Sequence, residues 1–249
     1  MDDDLDALPR AGFDASWLAR RLQTDKLEYL DRDDVPDKKR AVVHGLERMG
    51  HRLGYHKKNA RLAAELLPEV TNPRVLELGA AHGGLSRELL QLRPDAHITV
   101  TDIEPSSVEE MAASDLATDD RVTVRPMDAT AIDTPDNAFD LAVFALSFHH
   151  LPPRLASKVF AEGTRAAKTL LIIDIRRLPA PLLAIWSPFG WAQGTYSPCA
   201  HDGHISYLRA YGTSALRTLA AHADPSIQVQ LRTVPAWPTP MQVVVARRA

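Results

Sequence analysis

One cysteine, Cys199, stands alone in the 249 residues, which makes an internal disulfide impossible and excludes a cysteine-rich zinc site. The chain also lacks a strong charge of either sign. Its 29 Lys and Arg against 32 Asp and Glu give a formal net charge of −3, so no global basic field draws it to nucleic acid or to anionic membranes. Lys38-Lys39-Arg40 and Lys57-Lys58 read as solvated helix faces. Long apolar runs are missing too: the most lipid-like stretch, LPAPLLAIWSPFGW at 178–191, is broken by three prolines and is too short to span a bilayer. There is no repeat and no low-complexity tract. The opening residues, MDDDLDALPR, are acidic where a secretory signal is basic and then apolar, so the cytoplasm is the expected compartment. What the chain does have is 45% hydrophobic residues, ample for a packed core.

The pattern changes character near residue 73. Before it, residues 16–30, 37–53 and 57–67 space their apolar side chains as helices do, with Asp33-Asp34 and Pro36 marking a break. Residues 1–72 therefore read as a helical segment that covers a substrate. After it, short runs rich in Val, Ile and Leu alternate with helix-like stretches: RVLELG (74–79), HITVTD (97–102), RVTVRPMD (121–128), FDLAVFAL (139–146) and TLLIIDI (169–175). Such alternation predicts an α/β fold with parallel strands buried between helical layers. SIQVQLRTV (226–234) and MQVVVARRA (241–249) leave no room between them for a crossover helix, so they pair antiparallel. Residues 73–249 thus read as a doubly wound core closed by a hairpin, with an insertion at 178–212.

VLELGAAHGG (75–84) is the first strand-to-helix turn, which in an open parallel sheet lies where ligands bind. Gly79, Ala80, Ala81 and Gly83 let the backbone approach a ligand closely, and the helix start behind them favours a negative group. The loop alone fits two cofactors. Gly79, Ala81 and Gly84 satisfy a dinucleotide fingerprint with alanine in the middle; Gly79, Ala81 and Gly83 give the degenerate G-x-G-x-G loop used for S-adenosylmethionine. Glu77 favours the second, because a carboxylate there offsets an ammonium and repels a pyrophosphate. Asp102 ends the second strand, where it can accept both ribose hydroxyls. Asp128 ends the third, where it can take the adenine amino group while the Ala129 N–H meets the ring. Singly, each acid could be a helix cap or a loop residue; three in register argue for a cofactor.

On ELGAAHG, TDIEPSSV, MDAT and FDLAVFALSFHHL the chain resembles the class I S-adenosylmethionine-dependent methyltransferases of small molecules, from about Arg74 to the last strand. The stretch HDGHISYLRAYGTSALRTL (201–219) is similar to their tail, less specifically. The resemblance implies a Rossmann-like seven-stranded sheet of order 3-2-1-4-5-7-6 with an antiparallel last strand, S-adenosyl-L-methionine as cofactor and S-adenosyl-L-homocysteine as product. It implies a cofactor site of Glu77, Gly79, Ala80, Ala81, Gly83, Asp102, Ile103, Asp128, Ala129 and Ala145, with Arg52 reaching toward the cofactor carboxylate. Ala81 departs from the family's middle glycine and leaves less room beside the cofactor.

Methyl transfer from a sulfonium is an in-line displacement, so the protein's main task is to align the reactants and exclude water. A phenol, with a pKa near 10 in the tyrosine reference, is helped by a base, and histidine suits neutral pH. His149 and His150 follow the fourth strand directly, and His201 with Asp202 could form a second base and its orienting acid; each could instead fix a loop. No metal is expected, because Asp140 and Asp174 belong to strand patterns and no acidic cluster stands at the fourth strand's exit. Trp186, Trp191, Tyr196 and Tyr207 in the insertion are expected to line an acceptor pocket, with Arg209 binding a substrate acid. The expected activity is methylation, at oxygen, of a small, aromatic or apolar, natural-product-like acceptor, with neither nucleic acid nor membrane as partner and a homodimer as an option. The alternatives are an NAD-dependent oxidoreductase, disfavoured by Glu77 and the terminal hairpin, and a non-catalytic module that binds the cofactor.

Overall fold

Seven apolar runs become seven strands in the computed structural model, which describes residues 3–236 and 239–249. They are β1 (Arg74–Leu78), β2 (His97–Asp102), β3 (Val122–Pro126), β4 (Phe139–Ala145), β5 (Ala167–Ile175), β6 (Ile227–Val234) and β7 (Met241–Arg248). The sheet order is β3-β2-β1-β4-β5-β7-β6, as the resemblance implies. Strands β1 to β5 pair in parallel; β7 runs antiparallel to both β5 and β6. With Val75 opposite both Ile98 and Leu141, β1 lies at the point where the chain reverses direction across the sheet, and the carboxyl ends of its neighbours diverge there to leave a crevice.

Alternate residues of each strand feed opposite faces. Leu76, Leu78, Phe144, Leu170, Ile172 and Val244 join one buried cluster, covered by α7 (Pro153–Ala166) through Val159 and Phe160 and by α10 (Thr213–Ala223) through Leu216 and Leu219. Val75, Leu141, Val143, Leu171, Ile173 and Val243 join the other, covered by α4 (Tyr55–Ala64) through Ala60 and Ala63 and by α5 (Gly84–Leu92) through Leu85 and Leu89. Helix α6 (Pro105–Ala112) adds Met111 at the β2–β3 side. Buried on both faces, these strands read as near-continuous apolar runs rather than alternating ones.

Residues 5–31 run as a strap between the two layers. The short helix α1 (Asp3–Asp6) precedes Leu8, and both Leu5 and Leu8 are buried in the α7/α10 cluster. The chain then crosses the carboxyl edge of the sheet and continues through α3 (Pro36–Leu53) into α4, which reaches the opposite face. The helix expected over 16–30 is cut short: α2 covers Trp17–Arg21, capped by Ser16, whose Oγ accepts from the Ala19 N–H at 3.3 Å. Beyond Leu22 the chain is non-helical up to a 3-10 turn at Tyr29–Asp31. Thr24 and Asp25 are poor helix formers, and tertiary bonds take over: Gln23 accepts from the Arg10 N–H at 2.8 Å, and Asp202 accepts from the Tyr29 and Leu30 N–H groups at 2.8 and 3.1 Å. The insertion forms α8 (Ala180–Gly194) and α9 (Pro198–Arg209). No helix among the described residues is long and apolar enough to cross a membrane.

Candidate functional site

At β1 the backbone itself is the site. Gly79, Ala81 and Gly83 all adopt left-handed conformations, at φ 60°, 50° and 71°, so the loop curls at alternate residues instead of entering α5 directly. A Cβ on Gly79 would stand 2.7 Å from the Phe144 ring, which leaves glycine as the fitting residue there. Ala81 pays the left-handed penalty because its N–H is held: it donates to Asp102 Oδ2 at 2.8 Å. The Glu104 N–H donates to the other oxygen of Asp102 at 2.9 Å. One buried carboxylate therefore fixes both the β1 and the β2 loop. Buried Ala80 donates to the Thr101 carbonyl at 2.9 Å, tying the loop to β2 a second time.

Asp128 accepts from both the N–H and the hydroxyl of Thr130 at 2.8 Å through Oδ1. Its second oxygen and the Ala129 N–H have no hydrogen-bond partner among the described residues. Ile103 stands 68% exposed beside Asp102, and Ala145, half-buried, ends β4 just before Leu146 turns left-handed at φ 59°. Glu77 sits deeper than a rim position. Its carboxylate accepts the Ser86 hydroxyl at the start of α5, and burial pushes it up to about 7 against the lowering effect of the Ser86 bonds. It braces the loop from beneath. Arg52 lies exposed on α3, beside a cavity of about 410 Å³ lined by Gly45, Arg48, Met49 and Leu53, and no cofactor-loop residue shares that cavity.

At β4 and β5 the site is made of side chains. A 3-10 turn, Phe148–His150, follows β4. Asp174, near the end of β5, accepts from the backbone N–H of His149 and from its ring Nδ1, both at 2.7 Å. Asp31, from the strap, meets His150 Nδ1 at 2.7 Å. An ionised carboxylate only accepts, so both rings carry their proton on Nδ1 and turn Nε2 the other way. Both Nε2 atoms face Glu28, at 3.6 Å from Oε1 for His149 and 3.8 Å from Oε2 for His150. Glu28 is buried and accepts the Ser206 hydroxyl at 2.9 Å; burial raises it to about 7. Burial pushes Asp31 the same way, but its bonds to His150 and Arg209 outweigh it and hold the group at about 2.

Arg209, expected to bind a substrate acid, is buried and committed elsewhere. Its guanidinium donates to Asp31 at 2.6 Å and to the His150 carbonyl. Arg10 donates to the carbonyls of His149 and Leu151 at 3.1 and 2.9 Å, and the Tyr211 hydroxyl donates to Leu151 at 2.8 Å. These groups clamp the histidine turn. His201 keeps its bond to Asp202 at 2.8 Å but stacks on Tyr29 with ring centroids 4.1 Å apart, and Asp202 chiefly caps the 3-10 turn of the strap. The pair holds the lid together. Trp186, Trp191 and Tyr196, expected to line a pocket, stand 57%, 70% and 92% exposed: the two tryptophans lie on α8, which is apolar all round and buries only Leu183, and Tyr196 lies in the turn between α8 and α9. Tyr207 points inward instead, bonded to Thr239 at 2.7 Å.

Glu28, Asp31 and Arg10 are site residues that the sequence hides. They lie in stretches with no motif, and only the path of the strap brings them over β4. Asp174 carried one legible signal, a charged residue near the end of the otherwise apolar run TLLIIDI, where a carboxylate is costly unless it is partnered.

Residues 75–169 match a family described as a methyltransferase domain. No curated protein matches the chain in sequence. Among solved structures, the fold is similar to that of a protein from Nostoc punctiforme PCC 73102 named as a candidate O-methyltransferase, with a TM-score of 0.58 at 18% identity. That similarity covers 83% of this chain and 58% of the Nostoc protein, so this chain spans less than two thirds of it. The YcgJ protein of Bacillus subtilis aligns with a TM-score of 0.57 at 14% identity over 77% of this chain and 98% of its own. The [4+2]-cyclase SpnF aligns equally well, at 0.57 and 16% identity, over 77% of this chain and 80% of its own. At such identities the structures share a fold, and SpnF illustrates that one fold carries more than one chemistry.

Proposed function

We propose that this chain, built on a class I methyltransferase core, transfers a methyl group from S-adenosyl-L-methionine to a small acceptor at an oxygen atom. The observation that carries the reading is the row of three carboxylates, Glu77, Asp102 and Asp128, near or at the carboxyl ends of successive strands around a left-handed loop. The donor set fits an adenosine. Each Asp102 oxygen holds one backbone N–H and keeps a further lone pair for a ribose hydroxyl. The second Asp128 oxygen and the Ala129 N–H match the hydrogen-bonding edge of adenine, and Ile103 offers an apolar surface for its face. Glu77 sets the loop from below through its bond with Ser86, and in its ionised form it would favour the cationic amino-acid end of the cofactor. The cofactor supplies an electrophilic methyl group.

The acceptor side is the clamped turn after β4. His149 and His150, oriented by Asp174 and Asp31, are the groups suited to take a proton from an acceptor hydroxyl as it attacks. The strap and α9 close over them and keep water out. The exposed aromatic face of α8 suits a lid that meets an apolar, natural-product-like acceptor when it closes. With a formal net charge of −3 the chain has no overall positive field to attract a nucleic acid, and the reading takes a small molecule as the acceptor.

Calorimetric titration with S-adenosyl-L-homocysteine, with NAD as control, tests the reading. Saturable binding of the homocysteine product at micromolar affinity, with none of NAD, is the expected result; the reverse preference would replace the reading with a redox one. Asp102→Ala removes the ribose acceptor and the anchor of both loops, and should weaken that binding about 100-fold, as expected for loss of charge-assisted hydrogen bonds worth about 3 kcal/mol. Wild-type affinity in that variant would remove the assignment. Binding without turnover across phenol, amine and carboxylate acceptors would instead favour a cofactor-binding module or, as the SpnF fold allows, another reaction.

A further inference from the structure

We infer that Glu28, His149 and His150 form a binding site for a divalent first-row transition ion such as Zn2+, buried beneath the N-terminal strap. Among the described residues they are the one group of three metal-ligating side chains whose donor atoms all lie within 4.8 Å of one another. Three features of the geometry point to an ion rather than to a set of hydrogen bonds.

First, the contacts of Glu28 with the two rings, at 3.6 and 3.8 Å, are too long for hydrogen bonds. They approach the spacing of two donors on one ion: bonds of about 2.0–2.1 Å meeting at tetrahedral to trigonal angles place donor atoms about 3.3–3.6 Å apart. With all three donor atoms within 4.8 Å of one another, the side chains are gathered closely enough to contract onto one ion.

Second, each ring is oriented as a ligand. Asp174 takes Nδ1 of His149 and Asp31 takes Nδ1 of His150, both at 2.7 Å. This leaves both Nε2 atoms turned toward the Glu28 carboxyl, so that donor atoms of three side chains converge on one point. A single cation held there would engage all three at once. A carboxylate on the distal nitrogen of a metal-bound histidine is the usual outer partner, fixing the tautomer and raising ligand basicity.

Third, the ligand type and number suit this class of ion. Two imidazoles and one carboxylate favour zinc, iron or other divalent transition ions over magnesium or calcium, which prefer all-oxygen sites. Three protein donors leave at least one coordination position for water or for an oxygen of the acceptor. The sequence alone supports no metal, because Glu28 lies 121 residues before His149 (149 − 28) in a stretch without a motif. The strap brings them together.

The inference shares its histidines with the methyl-transfer reading but has its own readout. With an ion bound, the pair acts as ligands, and the open position would receive the acceptor hydroxyl and favour its ionisation. The test is direct ion binding. Protein stripped with chelator and dialysed against Zn2+ should take up one ion per chain, and Co2+ in its place should give the intense visible absorption of a low-coordinate site. Glu28→Gln keeps the shape of the side chain and should weaken Zn2+ binding at least about tenfold; His150→Gln should do the same. Asp31→Asn, which leaves all three ligands in place while weakening the outer partner of His150 and the bond from Arg209, should cost about 10–100-fold. Circular dichroism melts confirm that each variant is folded, and a variant that fails this check is replaced by His149→Gln. Wild-type protein that binds no Zn2+, or binds it with the same affinity as Glu28→Gln and His150→Gln, overturns the site. Methyl transfer that persists in chelator with no bound ion overturns the ion's role while leaving the base reading intact.

Discussion

The two halves of the sheet's carboxyl edge are held by different means. Around β1, β2 and β3 the working groups are backbone N–H groups and side chains at or near the strand ends, and the bonds that shape the loops are short-range or join neighbouring strands: Asp102 to Glu104 within the β2 loop, Asp102 to Ala81 and Ala80 to Thr101 across to β1. Around β4 and β5 the working groups are histidines whose partners come from far along the chain. Asp31 and Glu28 arrive from the strap, Asp174 from the next strand, Arg209 from α9 and Arg10 from the start of the strap. The first half is a local device that a parallel sheet provides wherever a tight turn meets a helix. The second is a network, in which losing one member leaves others unpaired inside the protein.

That contrast can be tested by removing one member from each half. The largest effect should come from the network. Arg209→Ala deletes a buried guanidinium, takes the Arg209 donor from the His150 carbonyl and leaves Asp31 with His150 as its remaining side-chain donor. We expect a loss of about 2–4 kcal/mol of stability and a fall in Tm of about 5–15 °C for a chain of this size. A thermal melt within 2 °C of wild type would mean that the strap is held elsewhere.

A smaller, pH-dependent effect should mark the cofactor half. Burial lifts Glu77 from its ordinary 4.5 to about 7 in the folded protein, so the folded state binds its proton more tightly than the unfolded chain does. The resulting stabilisation is complete below about pH 4.5 and is lost as pH rises through 7. Glu77→Gln removes this term, and denaturant titrations should show the variant gaining on wild type between pH 5 and pH 8, by on the order of 1–2 kcal/mol. Parallel stability curves for the two proteins across that range would show that Glu77 does not titrate there.

The smallest effect is expected at Ala81. Its φ of 50° is one that glycine adopts without penalty, at about 1–2 kcal/mol less than an ordinary residue. Glycine also adds entropy to the unfolded chain, about 0.4–1 kcal/mol in the opposite direction. Ala81→Gly should therefore be neutral to slightly stabilising, with binding of S-adenosyl-L-homocysteine changed less than about twofold. Destabilisation beyond 1 kcal/mol would show that the alanine methyl makes a packing contribution that its exposed position gives no reason to expect.

Most of the fold was determined by the sequence alone, because its signals are local: the period and length of each apolar run, glycine at the turns, and a hairpin forced by a connection too short for a helix. The cofactor half shares that legibility, since Glu77, Asp102 and Asp128 need only be near or at the ends of successive strands to meet. Tertiary structure decided the rest. The helix expected over 16–30 gave way beyond Arg21 because bonds to Asp202 and Gln23 outweigh a weak local preference. Arg209 and His201 became parts of the lid, Trp186 and Trp191 remained exposed on a helix that buries only Leu183, and Tyr196 remained exposed in the link after it. Glu28 and Asp31 joined His150 because a chain anchored by Leu5 and Leu8 on one face of the sheet and by α4 on the other must cross the carboxyl edge between them. No local pattern encodes that crossing; it follows from where the two ends of the strap find apolar surface to bury.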